Sequence, residues 1–98
     1  MQVMLFISGR NLKNKDTFTF SDPKCTVFEH VGQTWVKRGK TEQKKNTLNP
    51  DFETSITLNY YFERSQTLKF VIEDDDGGKK QEIGVIVTSL AAIMGKKA

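Results

Sequence analysis

The feature that most constrains this chain is a run of short apolar segments cut by polar turns at intervals of about 8 to 12 residues. Val3, Leu5 and Ile7 alternate with Gln2, Met4, Phe6 and Ser8, the period of a strand whose successive side chains point to opposite faces. Lys24 to Glu29 reads as a second strand, and Gln33 to Arg38 as a third joined to it by a turn at Val31-Gly32. Lys40 to Lys45 reads as a polar, basic fourth. Asn49-Pro50 marks a turn, after which Phe52, Thr54, Ile56 and Leu58 share one face of a fifth. Thr67 to Glu73 forms a sixth, with Leu68, Phe70 and Ile72 facing inward. An acidic-then-glycine loop, Asp74 to Lys80, leads to a seventh at Ile83 to Thr88. Leu90 to Met94 has room for one helical turn before Gly95. The pattern predicts one all-β domain over residues 1–98, an antiparallel β-sandwich of about seven strands.

Composition narrows the function. A single cysteine excludes a disulfide framework. Cys25 sits in the apolar run Cys25-Thr26-Val27-Phe28, which predicts a buried, reduced thiol and an intracellular protein. No apolar stretch approaches the roughly 20 residues needed to cross a bilayer. The first residues lack the basic lead-in of a signal peptide, so any membrane contact is expected to be peripheral. One histidine, one cysteine and no Gly-x-Ser-x-Gly elbow argue against a hydrolase and against zinc. Trp35, Tyr60 and Tyr61 match no nucleic-acid recognition motif.

The carboxylates carry the chemical signal. Asp16 and Asp22 fall in the first long connection, and Asp74, Asp75, Asp76 and Glu82 around the loop after the sixth strand. These six are half of the chain's twelve acids. Gathering them costs repulsion unless a cation sits among them, and calcium takes six to eight oxygen ligands in irregular geometry. The spacing does not fit an EF-hand. Solvated turns use the same residue types, so the pattern alone leaves a metal site and a solubilising surface both open.

The motifs go further. Asn11-Leu12-Lys13-Asn14-Lys15-Asp16 with Ser21-Asp22-Pro23 resembles the first calcium loop of C2 domains. Thr47-Leu48-Asn49-Pro50-Asp51-Phe52 resembles their Leu-Asn-Pro-x-Phe segment. Gly39-Lys40-Thr41-Glu42, Asn59-Tyr60-Tyr61-Phe62-Glu63, Gln66-Thr67-Leu68-Lys69-Phe70 and Thr88-Ser89-Leu90 look like the copine version, in particular the first C2 domain of copines. The resemblance covers nearly the whole chain.

It implies an eight-stranded antiparallel Greek-key sandwich whose loops at one end hold calcium and then touch anionic phospholipid. Asp16, Asp22, Asp74 and Asp76 match four ligand positions. Glu82 or Gln81 falls at the fifth, where an aspartate is usual, and Glu82 is taken as the ligand. A last strand is expected beyond residue 98, and its lack would leave an edge open to pairing with another copy. The six clustered acids set aside, six remain against fifteen Lys and Arg, a body of +9 attracted to an anionic leaflet. Lys37 and Lys40 lie where related domains carry a phosphoinositide-binding patch. Phe18 and Phe20 are candidates for insertion at the membrane interface, and Lys79 and Lys80 for headgroup contact. The expected function is a non-enzymatic, calcium-dependent phospholipid-binding module, cytoplasmic and recruited peripherally to membrane. The alternative is a calcium-independent protein-interaction module of the same fold.

Overall fold

The computed structural model describes residues 1–14, 20–76 and 79–95, leaving aside the side chains of Asp75, Asp76 and Lys79. Six strands and one helical turn follow in order: β1 (Gln2–Leu5), β2 (Pro23–Val31), β3 (Thr34–Lys40), β4 (Ile56–Asn59), β5 (Thr67–Asp76), β6 (Lys79–Ser89) and α1 (Leu90–Ile93). All strand pairings are antiparallel. They make a two-stranded sheet, β1-β4, and a four-stranded sheet, β3-β2-β5-β6. Alternation sorts the side chains. Leu5, Ile56 and Leu58 from the small sheet meet Cys25, Val27 and Leu68 from the large one in a single core, joined by Phe52 and Leu90. Gly39 stands where β3 closes onto β4: a Cβ there would lie 3.0 Å from Ile56 Cδ1, close enough that the Ile56 side chain would have to shift to admit it.

The all-β antiparallel reading agrees with this architecture, and three boundaries differ. Lys40 to Lys45 does not form a fourth strand. Lys40 ends β3, and then Thr41 N donates to Cys25 O and Lys44 N to Pro23 O. That is a step of three residues against a step of two, so the ladder cannot continue. Phe52 lies in the core, yet the next strand begins only at Ile56. The N–H groups of Glu53 and Thr54 donate instead to the Glu42 carboxylate, at 2.7 and 3.1 Å. Asp74 to Lys80 is not a loop throughout, because β5 runs to Asp76 and β6 begins at Lys79.

The Glu42 clamp makes a testable point about pH. Its carboxyl is held down from an ordinary 4.5 to about 2, first by the Glu53 N–H and further by that of Thr54. A carboxyl depressed in the folded state contributes stability above its ordinary value and loses it as pH falls toward the folded value. Wild type should therefore lose melting temperature between about pH 4.5 and 2. Glu42→Gln should begin lower at neutral pH and fall less across that window. Parallel curves for the two proteins would show that the clamp does not couple to folding.

Candidate metal site

Three connections meet at one end of the sandwich. Asp22 stands immediately before β2, and Asp74, on β5, is the register partner of Pro23. Asp22 N donates to Asp74 Oδ1 at 3.0 Å, so the two acids occupy neighbouring chain positions across the strand pair. The connection after β3 closes over them. Asn46 N donates to Asp22 Oδ1 at 2.6 Å, and Gln43 Nε2 donates to Asp22 O at 2.9 Å. Asn46 adopts a left-handed φ of 54°, tolerated by asparagine, which lets its side chain accept from Phe20 N at 2.8 Å. The first connection is tied in alongside: Asn11 N donates to Asn49 Oδ1, Leu12 N to Leu48 O, and Thr47 N to Ser21 O.

Of the five acids read as ligands, Asp22 and Asp74 are brought together. Asp16 lies outside the described residues, as does the side chain of Asp76, whose backbone pairs with Lys79. Among the described residues no three acidic, histidine or cysteine side chains are grouped as a metal site. Glu82 is placed elsewhere. A register shift between Ile72 and Glu73 sets Glu82 opposite Glu73 and Gln81 opposite Asp74. Directly paired residues share a face, so Gln81, not Glu82, presents its oxygen on the side of Asp74. The donor chemistry fits a hard cation. Asp74 is only 2% exposed, close to Asp22, and the repulsion of two such carboxylates is relieved by a divalent ion with oxygen preference.

Asn46 and Gln43 are participants that motif matching missed. The signal available for Asn46 is weak: an Asn in a polar turn, the residue type that accepts a left-handed backbone.

Of the residues read as lipid contacts, Phe20 is 52% exposed beside this end, and Phe18 lies outside the described residues. Lys80 is exposed on the hairpin arm, and the Lys79 side chain lies outside the description. Lys37 and Lys40 are exposed on the outer face of the large sheet. Their odd spacing would put them on opposite faces of a regular strand. A bulge at Arg38 corrects this, since Lys37 pairs with Phe28 and Lys40 with Thr26, two positions of one β2 face. Lys69 joins them, its Nζ 4.5 Å from the Trp35 ring centre and 5.1 Å from that of Phe28. Cys25 is fully buried, and burial pushes its thiol up to about 12, so it stays protonated and chemically quiet.

Comparisons with known proteins bear on the family and the fold. The C2 domain family profile matches residues 3–98. Copine-E of Dictyostelium discoideum is 42% identical over 103 residues, covering 97% of this chain and 18% of that protein. The chain thus spans under a fifth of that relative's length. Among solved structures, BON1-C2B is 26% identical and superposes with a TM-score of 0.74, covering 97% of this chain and 72% of that one. A calcium-bound structure of Extended-Synaptotagmin 2, spanning two of its C2 domains, superposes with a TM-score of 0.71 at 22% identity, covering 96% of this chain and 35% of that one.

Proposed function

The chain belongs to the C2 domain family, and we propose that it acts as a calcium-dependent module docking on anionic phospholipid, not as an enzyme. The observation that carries this reading is the juxtaposition of Asp22 and the buried Asp74 at the junction of three connections. Asp16, Asp22, Asp74 and Asp76 would hold the ion, with Gln81 or Glu82 supplying a further oxygen. Calcium, when bound, supplies positive charge and open coordination positions for lipid phosphate or carboxylate oxygens. The residues do the rest. The clustered acids oppose an anionic surface when no cation balances them. Phe20 offers an exposed ring beside the site, and an aromatic ring of this size suits the membrane interface. Lys37, Lys40 and Lys69 add attraction of roughly 1 kcal/mol per basic residue that reaches the surface. The proposed action is peripheral, on the cytoplasmic side of a membrane; no helix among the described residues is long and apolar enough to cross one.

One observation favours a second reading, a calcium-independent protein-interaction module: the fifth position on the Asp74 face is the neutral Gln81. Co-sedimentation with phosphatidylserine vesicles separates the two. Calcium should increase the bound fraction by at least about tenfold over chelator, equivalent to ~1.4 kcal/mol, and phosphatidylcholine vesicles should show no such gain. Equal pelleting with chelator would assign binding to the lysine face alone. No pelleting under either condition would favour the protein-interaction reading.

A further inference from the structure

The three consecutive residues that lead into β2 are strapped to two residues of the connection after β3. Phe20 N donates to Asn46 Oδ1 at 2.8 Å, Thr47 N to Ser21 O at 2.9 Å, and Asn46 N to Asp22 Oδ1 at 2.6 Å. Asn46 therefore holds both ends of the segment, one with its side chain and the other with its backbone. The end held by its backbone is an acid of the candidate metal site, joined in turn to the buried Asp74 through Asp22 N. The end held by its side chain carries a ring that is 52% exposed. A backbone N–H given to a carboxylate is among the stronger hydrogen bonds, and it fixes how the Asp22 carboxylate is turned. Asn46 does this from a left-handed backbone, φ 54°. Glycine and asparagine are at ease in that conformation, and most other side chains are strained there. Glycine has no oxygen to offer Phe20 N, so asparagine meets both demands of the position.

We propose that Asn46 is a positioning residue that couples the acidic site to the ring of Phe20, so that the ion and the ring meet an anionic lipid surface together. This rests on the calcium-dependent docking proposed for this end of the sandwich, and adds to it the residue that links its two parts. A segment free to move would lose that freedom on docking, and the loss would weaken binding. The Asn46 side chain removes it beforehand. Because the same residue fixes Asp22, the ring stands at a set place relative to the ion.

Asn46→Gly separates the two bonds, since it keeps the left-handed backbone and the N–H to Asp22 and deletes only the oxygen that holds Phe20 N. With chelator, the Phe20 amide proton should exchange about fivefold faster in this variant, the factor expected for one lost hydrogen bond of ordinary strength. Asn46→Asp, which restores an oxygen on a backbone of the same tolerance, should return the exchange toward the wild-type rate. A thermal melt verifies that each variant folds, and calcium should raise the midpoint of Asn46→Gly as much as that of wild type. On phosphatidylserine vesicles with saturating calcium, Asn46→Gly should bind about fivefold more weakly. Phe20→Ala should lose at least about tenfold, the scale of an apolar ring withdrawn from burial. Asn46→Gly added to Phe20→Ala should change binding by less than about twofold, because the bond then has no ring to place. An unchanged Phe20 exchange rate in Asn46→Gly would overturn the coupling and leave calcium-dependent docking standing, as would losses that simply multiply in the double variant. Wild type that binds vesicles no better with calcium than with chelator would overturn the docking reading, and the coupling with it.

Discussion

Calcium should raise the melting temperature of wild type by on the order of 10 °C, and Asp74→Asn should lose that gain. An ion present at 100 times its dissociation constant stabilises the state that binds it by about 2.7 kcal/mol. In a domain of this size each kcal/mol moves the midpoint by roughly 4–8 °C. Asparagine matches aspartate in shape and keeps an oxygen to accept from Asp22 N, so the substitution removes charge and leaves the 3.0 Å contact available. The signs then oppose each other. With chelator the variant should melt at or above wild type, because one of two neighbouring carboxylates no longer repels the other. With calcium it should melt below. An unchanged midpoint for wild type on adding calcium would sink the metal reading. An equal calcium gain in both proteins would remove Asp74 from it.

Much of this arrangement was legible beforehand, for physical reasons that individual residues show. Leu68, Phe70 and Ile72 alternate without interruption, and β5 forms where they stand. The second strand was expected from Lys24 and begins one residue earlier, at Pro23, whose missing N–H is tolerated at the first residue of a strand. The α1 turn came from Leu90 to Met94 and is capped by Ser89, whose hydroxyl accepts from Ala92 N.

What stayed hidden was set by single irregularities in pairing. The bulge at Arg38 moved Lys40 onto the face of Lys37, a result no strict period-2 count allows. The shift beside Glu73 exchanged Glu82 for Gln81 on the Asp74 face in the same way. A bulge depends on how two strands meet, and nothing in either strand alone specifies it. The Glu42 clamp was likewise out of reach, because its carboxylate takes N–H groups eleven and twelve residues away. The placement therefore departs from the motif reading at the position that the shift beside Glu73 governs, whereas Asp22 and Asp74 stand together across a β2–β5 pairing that has no shift.

Leu68→Ala should be the most damaging single truncation in the core, costing about 2.7–5 kcal/mol. Leu68 is fully buried on β5, the strand that pairs with both β2 and β6, so no sheet edge is free to relax into the space left behind. Only eight apolar residues form the buried core among those described, and one lost isopropyl group is a large part of so small a core. Total stabilities of about 5–15 kcal/mol are usual for domains, which places the variant near the threshold of folding. Its midpoint should fall by more than 10 °C at the conversion of about 4–8 °C per kcal/mol. Phe62→Ala provides the comparison, since Phe62 is 83% exposed and a surface truncation of that kind stays within about 0.5 kcal/mol. Denaturant titrations of both variants decide the matter. A similar small loss in each would mean that the two sheets can close over the missing side chain, and that the core is held less tightly than full burial of Leu68 implies.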